Sequence, residues 1–187
     1  MIVNFPSLIL AARRGEVVSF PTDTVPALAV QPEYGSKIYH CKKRPPDKPL
    51  ILMAADRTAF APWIAPDLTI PWVALAQTYW PGALTIVLPA SDRVTAAINP
   101  HRTGTIGLRI PQHPLALSLL QQTGVLATTS ANYSGEPPLL TAAAIEAAFP
   151  EVAVLHGEYD GSGQPSTVVT WHEGTWHVLR QGAVVLA

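Results

Sequence analysis

The sequence predicts an α/β fold, and three observations carry that reading. Apolar runs of strand length alternate with windows of helical period along most of the chain. Several strand-to-helix steps are punctuated by the proline, glycine and hydroxyl residues that start and stop helices in such units. Towards the C-terminus the strand-like runs follow one another without a helix between them, so the sheet cannot be wholly parallel there.

In order, Leu8 to Arg14 reads as a short helix stopped by Gly15, and Val17 to Phe20 as a strand entering the turn Pro21-Thr22-Asp23-Thr24. Tyr34 to Lys42 is helical, with Ile38 and Cys41 on one face. Leu50 to Ala54 is an apolar run that reads as a buried strand. Thr69 to Tyr79 is a helix ended by Trp80-Pro81-Gly82, and Leu84 to Leu88 and Thr105 to Ile110 are strands separated by a polar loop. Pro114 to Thr123 is a helix with proline in its first turn and Gly124 as its stop. Val125 to Thr129 is a strand, and Thr141 caps a helix that runs to Phe149, before Pro150. Val152 to Leu155, Thr167 to Trp171 and Trp176 to Leu179 are the closing strands.

The chain's 187 residues suit one domain over 1–187, with enough chain to bury a core. With 48% hydrophobic and 13% charged residues, much of it should be interior. The longest apolar runs fall far short of the ~20 residues a spanning helix needs, so no membrane segment is expected. The stretch Met1 to Ala12 has no basic start and runs into Arg13-Arg14, which argues against a secretory signal. A single cysteine, Cys41, excludes an internal disulfide and a cysteine-based zinc cage, and the simple inference is a reducing cytoplasm. Cys41 precedes a basic cluster that would lower its pKa and make it reactive; the competing reading is a half-buried structural thiol. The six histidines show no metal-ligand spacing, and a net charge of −1 gives no global field to attract nucleic acid.

Against this charge-poor background, four of the twelve lysines and arginines (Lys42, Lys43, Arg44 and Lys48) fall within seven positions, just before the Leu50 strand. Pro45, Pro46 and Pro49 deny this stretch a helix and fix its course. A stiff cationic loop at the mouth of a core strand suits a polyanion such as a nucleoside triphosphate; taken alone it also fits a solvated basic turn. Arg109 and Arg180 lie in or at the end of apolar strands, where an unpaired charge is costly, so each must snorkel, find an internal acid or meet an anion. Four polar segments sit at strand ends, Thr22 to Thr24, Lys42 to Lys48, Ser130 to Asn132 and Ser162 to Ser166, and could line one cleft. There is no GxxxxGK[ST], no GxGxxG opening a helix after the first strand and no GxSxG elbow.

Taken together the motifs resemble the YrdC-type threonylcarbamoyl-AMP synthases in their single-domain form. The matching segments are Pro21-Thr22-Asp23-Thr24-Val25, Lys42-x-Arg44-Pro45 with Lys48-Pro49-Leu50, Trp80 to Thr85, Gly107 to Pro111, Thr129 to Gly135, Ser166 to Val169 and Leu179-Arg180 with Gly182-Ala183. The resemblance implies a twisted mixed sheet flanked by helices around a positively charged cavity. It implies a reaction in which L-threonine, bicarbonate and ATP, with Mg2+, give threonylcarbamoyl-AMP and pyrophosphate. That product serves N6-threonylcarbamoyladenosine formation at tRNA position 37, so the downstream partner is the tRNA threonylcarbamoyl-transfer machinery. Direct contact with tRNA is expected to be weak at best.

Carried over by position, the resemblance gives Lys42, Arg44, Ser130 and Asn132 catalytic roles. It makes Arg44, Lys48, Thr105, Ser130, Asn132, Pro138 and Arg180 ATP-binding, and Thr24, Arg109, Thr128 and Ser166 threonine-binding. Where the family has an aromatic and a glycine after the Thr22–Thr24 turn, this chain has Pro26 and Ala27, and Met53 stands where many members have histidine. The first of these departures supports an alternative: a paralogue of the same fold that binds nucleotide or RNA without making the adenylate.

Overall fold

The structure is a computed structural model that describes residues 1–186. Ten strands form one sheet: β1 (Ile2–Val3), β2 (Val18–Phe20), β3 (Ala27–Val30), β4 (Ile51–Met53), β5 (Leu84–Pro89), β6 (Thr105–Arg109), β7 (Leu126–Ser130), β8 (Ala153–Leu155), β9 (Thr167–His172) and β10 (Thr175–Arg180). Five α-helices flank it: α1 (Phe5–Arg13), α2 (Ser36–Lys42), α3 (Trp72–Tyr79), α4 (Pro114–Thr123) and α5 (Ala142–Ala148). The strand order is β1-β8-β2-β3-β7-β4-β6-β5-β9-β10. The edge β1-β8-β2 is parallel and the run β2-β3-β7-β4 antiparallel, after which parallel pairs (β4 with β6, β5 with β9) alternate with antiparallel ones (β6 with β5, β9 with β10), so the sheet is mixed.

Period-two alternation sends each strand's side chains to two separate cores. Leu28 and Val30 of β3, Leu52 of β4 and Val154 of β8 join Ile38 of α2, Ala76 of α3, and Ile145 and Phe149 at α5. Ala27 and Ala29, Met53, and Ala153 and Leu155 point the other way, onto Leu8, Ile9, Ala11 and Ala12 of α1 and Ala116, Leu119 and Leu120 of α4. The result is a helix–sheet–helix sandwich.

Helix ends follow from local chemistry. Asn4 starts α1 by accepting from the Ser7 N–H at 3.0 Å, and the Thr141 hydroxyl starts α5 by accepting from the Ala144 N–H at 3.2 Å. The helix expected over Tyr34 to Lys42 is split: Pro32–Tyr34 forms a 3-10 turn, and α2 begins only at Ser36. The helix expected from Thr69 begins at Trp72, because Pro71 is the residue before it and Asp67 has a positive φ of 57°. Three elements were not foreseen: β1, β3 and a 3-10 helix at Arg57–Trp63. β1 is two residues long and exists through parallel pairing with β8, about 150 residues away in sequence.

Leu28 is fully buried where β3 meets α2. Leu28→Ala is expected to lower the urea midpoint at unchanged m-value, by about 2–5 kcal/mol of stability.

Candidate active site

A cavity of about 790 Å3 opens on the sheet face that α1 and α4 cover elsewhere; Ala27 and Met53 belong both to that helix-covered core and to the cavity wall. Strand register builds its floor. Met53 lies opposite Arg109, Thr85 lies opposite Val168, and Arg180 lies opposite Val168 from the other side. Ile86 pairs with Leu108, so the next residues, Thr85 and Arg109, fall side by side. All five of these residues, Met53, Arg109, Thr85, Val168 and Arg180, line the cavity.

Arg180 reaches that row through a β-bulge. The β9–β10 hairpin turns at Glu173 and Gly174, both at positive φ, and pairs regularly as far as Val178 with Val169. The register then shifts so that Arg180, not Leu179, lies opposite Val168. The extra residue aims the arginine at the cavity. Its Nη2 donates to the Ser166 carbonyl at 2.8 Å and to the Ser166 hydroxyl at 3.3 Å. Gly182 beyond it passes so close to Pro165 and Ser166 that an added Cβ would lie 2.2 Å from the Pro165 carbonyl, which requires glycine there.

Lys42, at the end of α2, is 1% exposed, and its ammonium donates to the Ser130 carbonyl at 2.5 Å, to Asn132 Oδ1 at 2.8 Å and to the Ser130 hydroxyl at 3.3 Å. Asn132 is itself fixed, its amide donating to the Tyr133 and Glu136 carbonyls, and the Ser130 hydroxyl donates to Asn132 Oδ1 at 2.6 Å. Burial, reinforced by the charge of Arg44, pulls the Lys42 pKa down from 10.5 to about 7. Arg44 folds back on its own loop, donating to the Lys48 carbonyl at 2.8 Å and the Pro49 carbonyl at 2.9 Å, and burial lowers its pKa too. The loop's stiffness thus comes from this clamp as well as from its prolines. Lys43 takes the left-handed conformation that ends α2, with φ 51°, and is exposed away from the cavity.

Arg109 has found the internal acid that the sequence left as one option. It is 3% exposed; its Nη2 meets Asp23 at 2.7 Å, Nη1 donates to the Thr24 hydroxyl at 2.8 Å, and Nε donates to the Gly82 carbonyl at 3.0 Å. Burial lowers its pKa and the Asp23 charge opposes that. The turn carrying Asp23 and Thr24 is strapped by the glycine-rich loop: Ser162 N–H donates to the Asp23 carbonyl and Gly163 N–H to the Thr24 carbonyl. Gly161 lies where a Cβ would sit within 2.5 Å of the Thr22 and Thr24 carbonyls.

The structure therefore gathers Thr24, Lys42, Arg44, Lys48, Arg109, Thr128, Ser130, Asn132, Ser166 and Arg180 around one cavity. Thr105 and Pro138 are not brought into its lining. Thr105 is at the far start of β6, its hydroxyl 3.2 Å from that of Thr103, and Pro138 sits in the loop beyond Gly135. Sequence reasoning missed Thr85 and Asp47, both on the lining. For Thr85 the signal was present as a polar residue inside the apolar run Leu84 to Leu88. Cys41 is not activated: burial first, then Glu151, raises its thiol to about 11.

Five cations against Asp47 on the lining and Asp23 behind Arg109 make this a site for a polyanion. Binding one should return Lys42 to its charged form. Between pH 7 and 10.5 the folded, empty protein holds fewer protons on Lys42 than the charged lysine of a bound complex, so binding takes up a proton there. Titration with inorganic triphosphate at about pH 8, in buffers of different ionisation enthalpy, should show uptake of about one proton, absent in Lys42→Met, and affinity should fall as pH rises through this window.

The comparisons with known proteins agree with the geometry. The profile of the Sua5, YciO and YrdC family, described as "Telomere recombination", matches residues 11–182. A protein from Vibrio parahaemolyticus named threonylcarbamoyl-AMP synthase is 34% identical over 186 residues, 96% of this chain and 99% of its own. One of the same name from Bacillus subtilis is 37% identical over 199 residues, covering 97% of this chain and 55% of the relative. The crystal structure of P. abyssi Sua5 complexed with L-threonine superposes with a TM-score of 0.87 at 31% identity, over 97% of this chain and 57% of that one. E. coli YciO, at 24% identity and a TM-score of 0.82 over 95% of this chain and 88% of its own, shows the shared fold. The chain thus spans little more than half of the P. abyssi protein and nearly all of the Vibrio one. On these matches, and with a fold and a cationic cavity of the kind its motifs implied, this chain belongs to the Sua5, YciO and YrdC family.

Proposed function

We propose that this protein is a threonylcarbamoyl-AMP synthase, converting L-threonine, bicarbonate and ATP to threonylcarbamoyl-AMP, pyrophosphate and water. The observation that carries this is the arrangement of five cations, Lys42, Arg44, Lys48, Arg109 and Arg180, around one cavity of about 790 Å3, a size within the range of small-molecule sites. Relatives named threonylcarbamoyl-AMP synthase, and a relative solved with L-threonine, support the reading.

The chemistry asks for positioning and charge rather than a covalent nucleophile. The threonine amine adds to the carbon of CO2 derived from bicarbonate, releasing a proton and leaving a carbamate. A carbamate oxygen then attacks the α-phosphorus of ATP, and the bond to the bridging oxygen of pyrophosphate breaks. Negative charge grows on the phosphoryl oxygens and the leaving group, and Lys42, Arg44 and Lys48, on the cavity lining, would offset it. Ser130 and Asn132 hold Lys42 and face the same space, and Arg180 covers it from β10. Thr24, Arg109, Thr128 and Ser166 form the amino-acid end, beside the small wall of Pro26 and Ala27.

Mg2+ fits as the triphosphate's counter-ion. It favours one or two carboxylates together with phosphate oxygens and water, and Asp47 on the lining is the carboxylate that would reach it. Its contribution when bound is to neutralise charge on the phosphates. In this reading the protein acts in the cytoplasm and hands its adenylate to the machinery that modifies tRNA at position 37. No described helix is long and apolar enough to cross a membrane.

The test is pyrophosphate release from ATP, Mg2+ and bicarbonate with and without L-threonine, using serine as control. Threonine-dependent release is expected; ATP binding with no such release would favour the non-synthase paralogue. Arg44→Ala should lower kcat/KM for ATP at least ten-fold with the thermal midpoint little changed, since its loss removes charge-assisted contacts to phosphate. Arg109→Lys keeps a charge beside Asp23 but loses the three-way fork, and should raise the KM for threonine more than that for ATP.

A further inference from the structure

The sheet ends differently on its two sides. At one end β1 is only two residues long and α1 begins at Phe5, so this edge offers too few backbone groups to template another strand. At the other end β10 runs for six residues, and among the described residues no strand pairs with its outer edge. Proteins commonly blunt such an edge with lysine, proline or a short length. β10 uses none of these: Thr175 to Leu179 holds no charged residue and no proline, and Val178 and Leu179 are 45% and 60% exposed. Its bulge disturbs only the end at Arg180 and leaves Thr175 to Val178 regular.

Alternation along the hairpin says which backbone groups are left over. Thr175 and His172 flank the two-residue turn as its hydrogen-bonded pair, so His177 and Thr170 are the next such pair. The N–H and C=O of Trp176 and Val178 therefore point outward, away from β9. Their side chains share the face on which Val169 is buried, and Trp176 meets Trp171 edge to face with ring centroids 5.1 Å apart.

This edge is complementary to itself. A two-fold axis through His177 sets Trp176 opposite Val178 of a second copy, and Val178 opposite that copy's Trp176. Each of these pairs exchanges two backbone hydrogen bonds and places an aromatic ring against a β-branched side chain. The same axis brings the turn at Glu173 of each copy to the Arg180 end of the other, so charges of opposite sign meet at both ends of the seam. With β1 too short to act as counterpart, β10 can meet a second copy only through β10, which closes a dimer instead of propagating a fibre.

We infer that β10 is where two copies of this chain join, antiparallel and edge to edge, into one continuous sheet. The axis stands perpendicular to the sheet, so both cavities open on the same side of the dimer. The inference is independent of the reaction catalysed.

The test is the mass in solution, by light scattering or sedimentation, from about 1 to 100 μM, a range that brackets a micromolar Kd. Wild type should approach twice the chain's 20.0 kDa. Val178→Glu puts an unpaired carboxylate against the Trp176 ring of the second copy and should raise the dimer Kd at least about ten-fold. Val178→Pro removes an outward N–H that β9 does not use and should act in the same direction. His177→Cys in a Cys41→Ser background reads the register: at a non-hydrogen-bonded pair the two Cα atoms lie about 4.5 Å apart, within disulfide reach, so mild oxidation should link the copies. Circular dichroism and the thermal midpoint report whether each variant folds, and if a Val178 variant does not, the cross-link decides. A wild type that stays at 20.0 kDa, a dimer that Val178→Glu leaves at its original Kd, or a His177→Cys protein that does not cross-link overturns the assignment.

Discussion

The Lys42 ammonium, seated on oxygens of Ser130 and Asn132, is the contact on which the cavity depends. It ties the end of α2 to the end of β7 across some ninety residues of sequence, and both the cationic loop and the Ser130–Gly135 turn hang from that tie. A buried charge without partners would be prohibitively costly. Here it is met by a carbonyl, an amide oxygen and a hydroxyl, which solvate the charge without cancelling it. That choice leaves no acid to cancel the charge when Lys42 is protonated, at the expense of a lysine held close to losing its proton.

Arg109 meets the same problem with the opposite solution. Its charge is cancelled by Asp23, whose Oδ1 also accepts from the Gln112 N–H at 2.9 Å, and the turn behind it is strapped by the loop at Ser162 and Gly163. Around Lys42 the cavity is therefore net cationic, while around Arg109 the charge is locally cancelled. A triphosphate and an amino-acid zwitterion differ in the same way, so the charge distribution alone would sort the two substrates to opposite ends in the proposed reaction.

Much of this was legible in the sequence because it rests on local chemistry. Apolar runs marked β2, β4, β5, β6, β7 and β9 to within a residue or two, and Pro114, Gly124 and Thr141 marked helix ends. Lys42, Arg44 and Lys48 of the cation cluster and the Ser130 and Asn132 turn, which the sequence put at strand ends, line one cavity. β3 escaped because Ala27 and Ala29 are weak strand formers and Pro26 precedes them; its strand state is imposed by β2 on one side and β7 on the other. The 3-10 helix at Arg57–Trp63 contains Pro62, which reads as a breaker. Lys43 looked equivalent to its neighbours, but a helix end turned it outward. That Arg109 would pair with Asp23, and Arg180 with no acid among the described residues, was undecidable beforehand, since each outcome depends on contacts more than ten residues distant.

The bulge before Arg180 makes one cation of the site a matter of odd and even. Along a strand, each residue faces the side opposite to its neighbours, and the extra residue between Val178 and Arg180 has already used up one step of that alternation. Residues can be added to the exposed turn at Glu173 and Gly174 without changing which face Arg180 shows, because the pairing beyond is set strand against strand. A single residue gained or lost at the bulge would instead turn the arginine to the other face of the hairpin, the side of Val178, and away from its bonds to Ser166. Lineages of this hairpin should therefore vary freely in turn length and hardly at all in the count from Val178 to Arg180, a constraint on insertions and deletions rather than on residue identity.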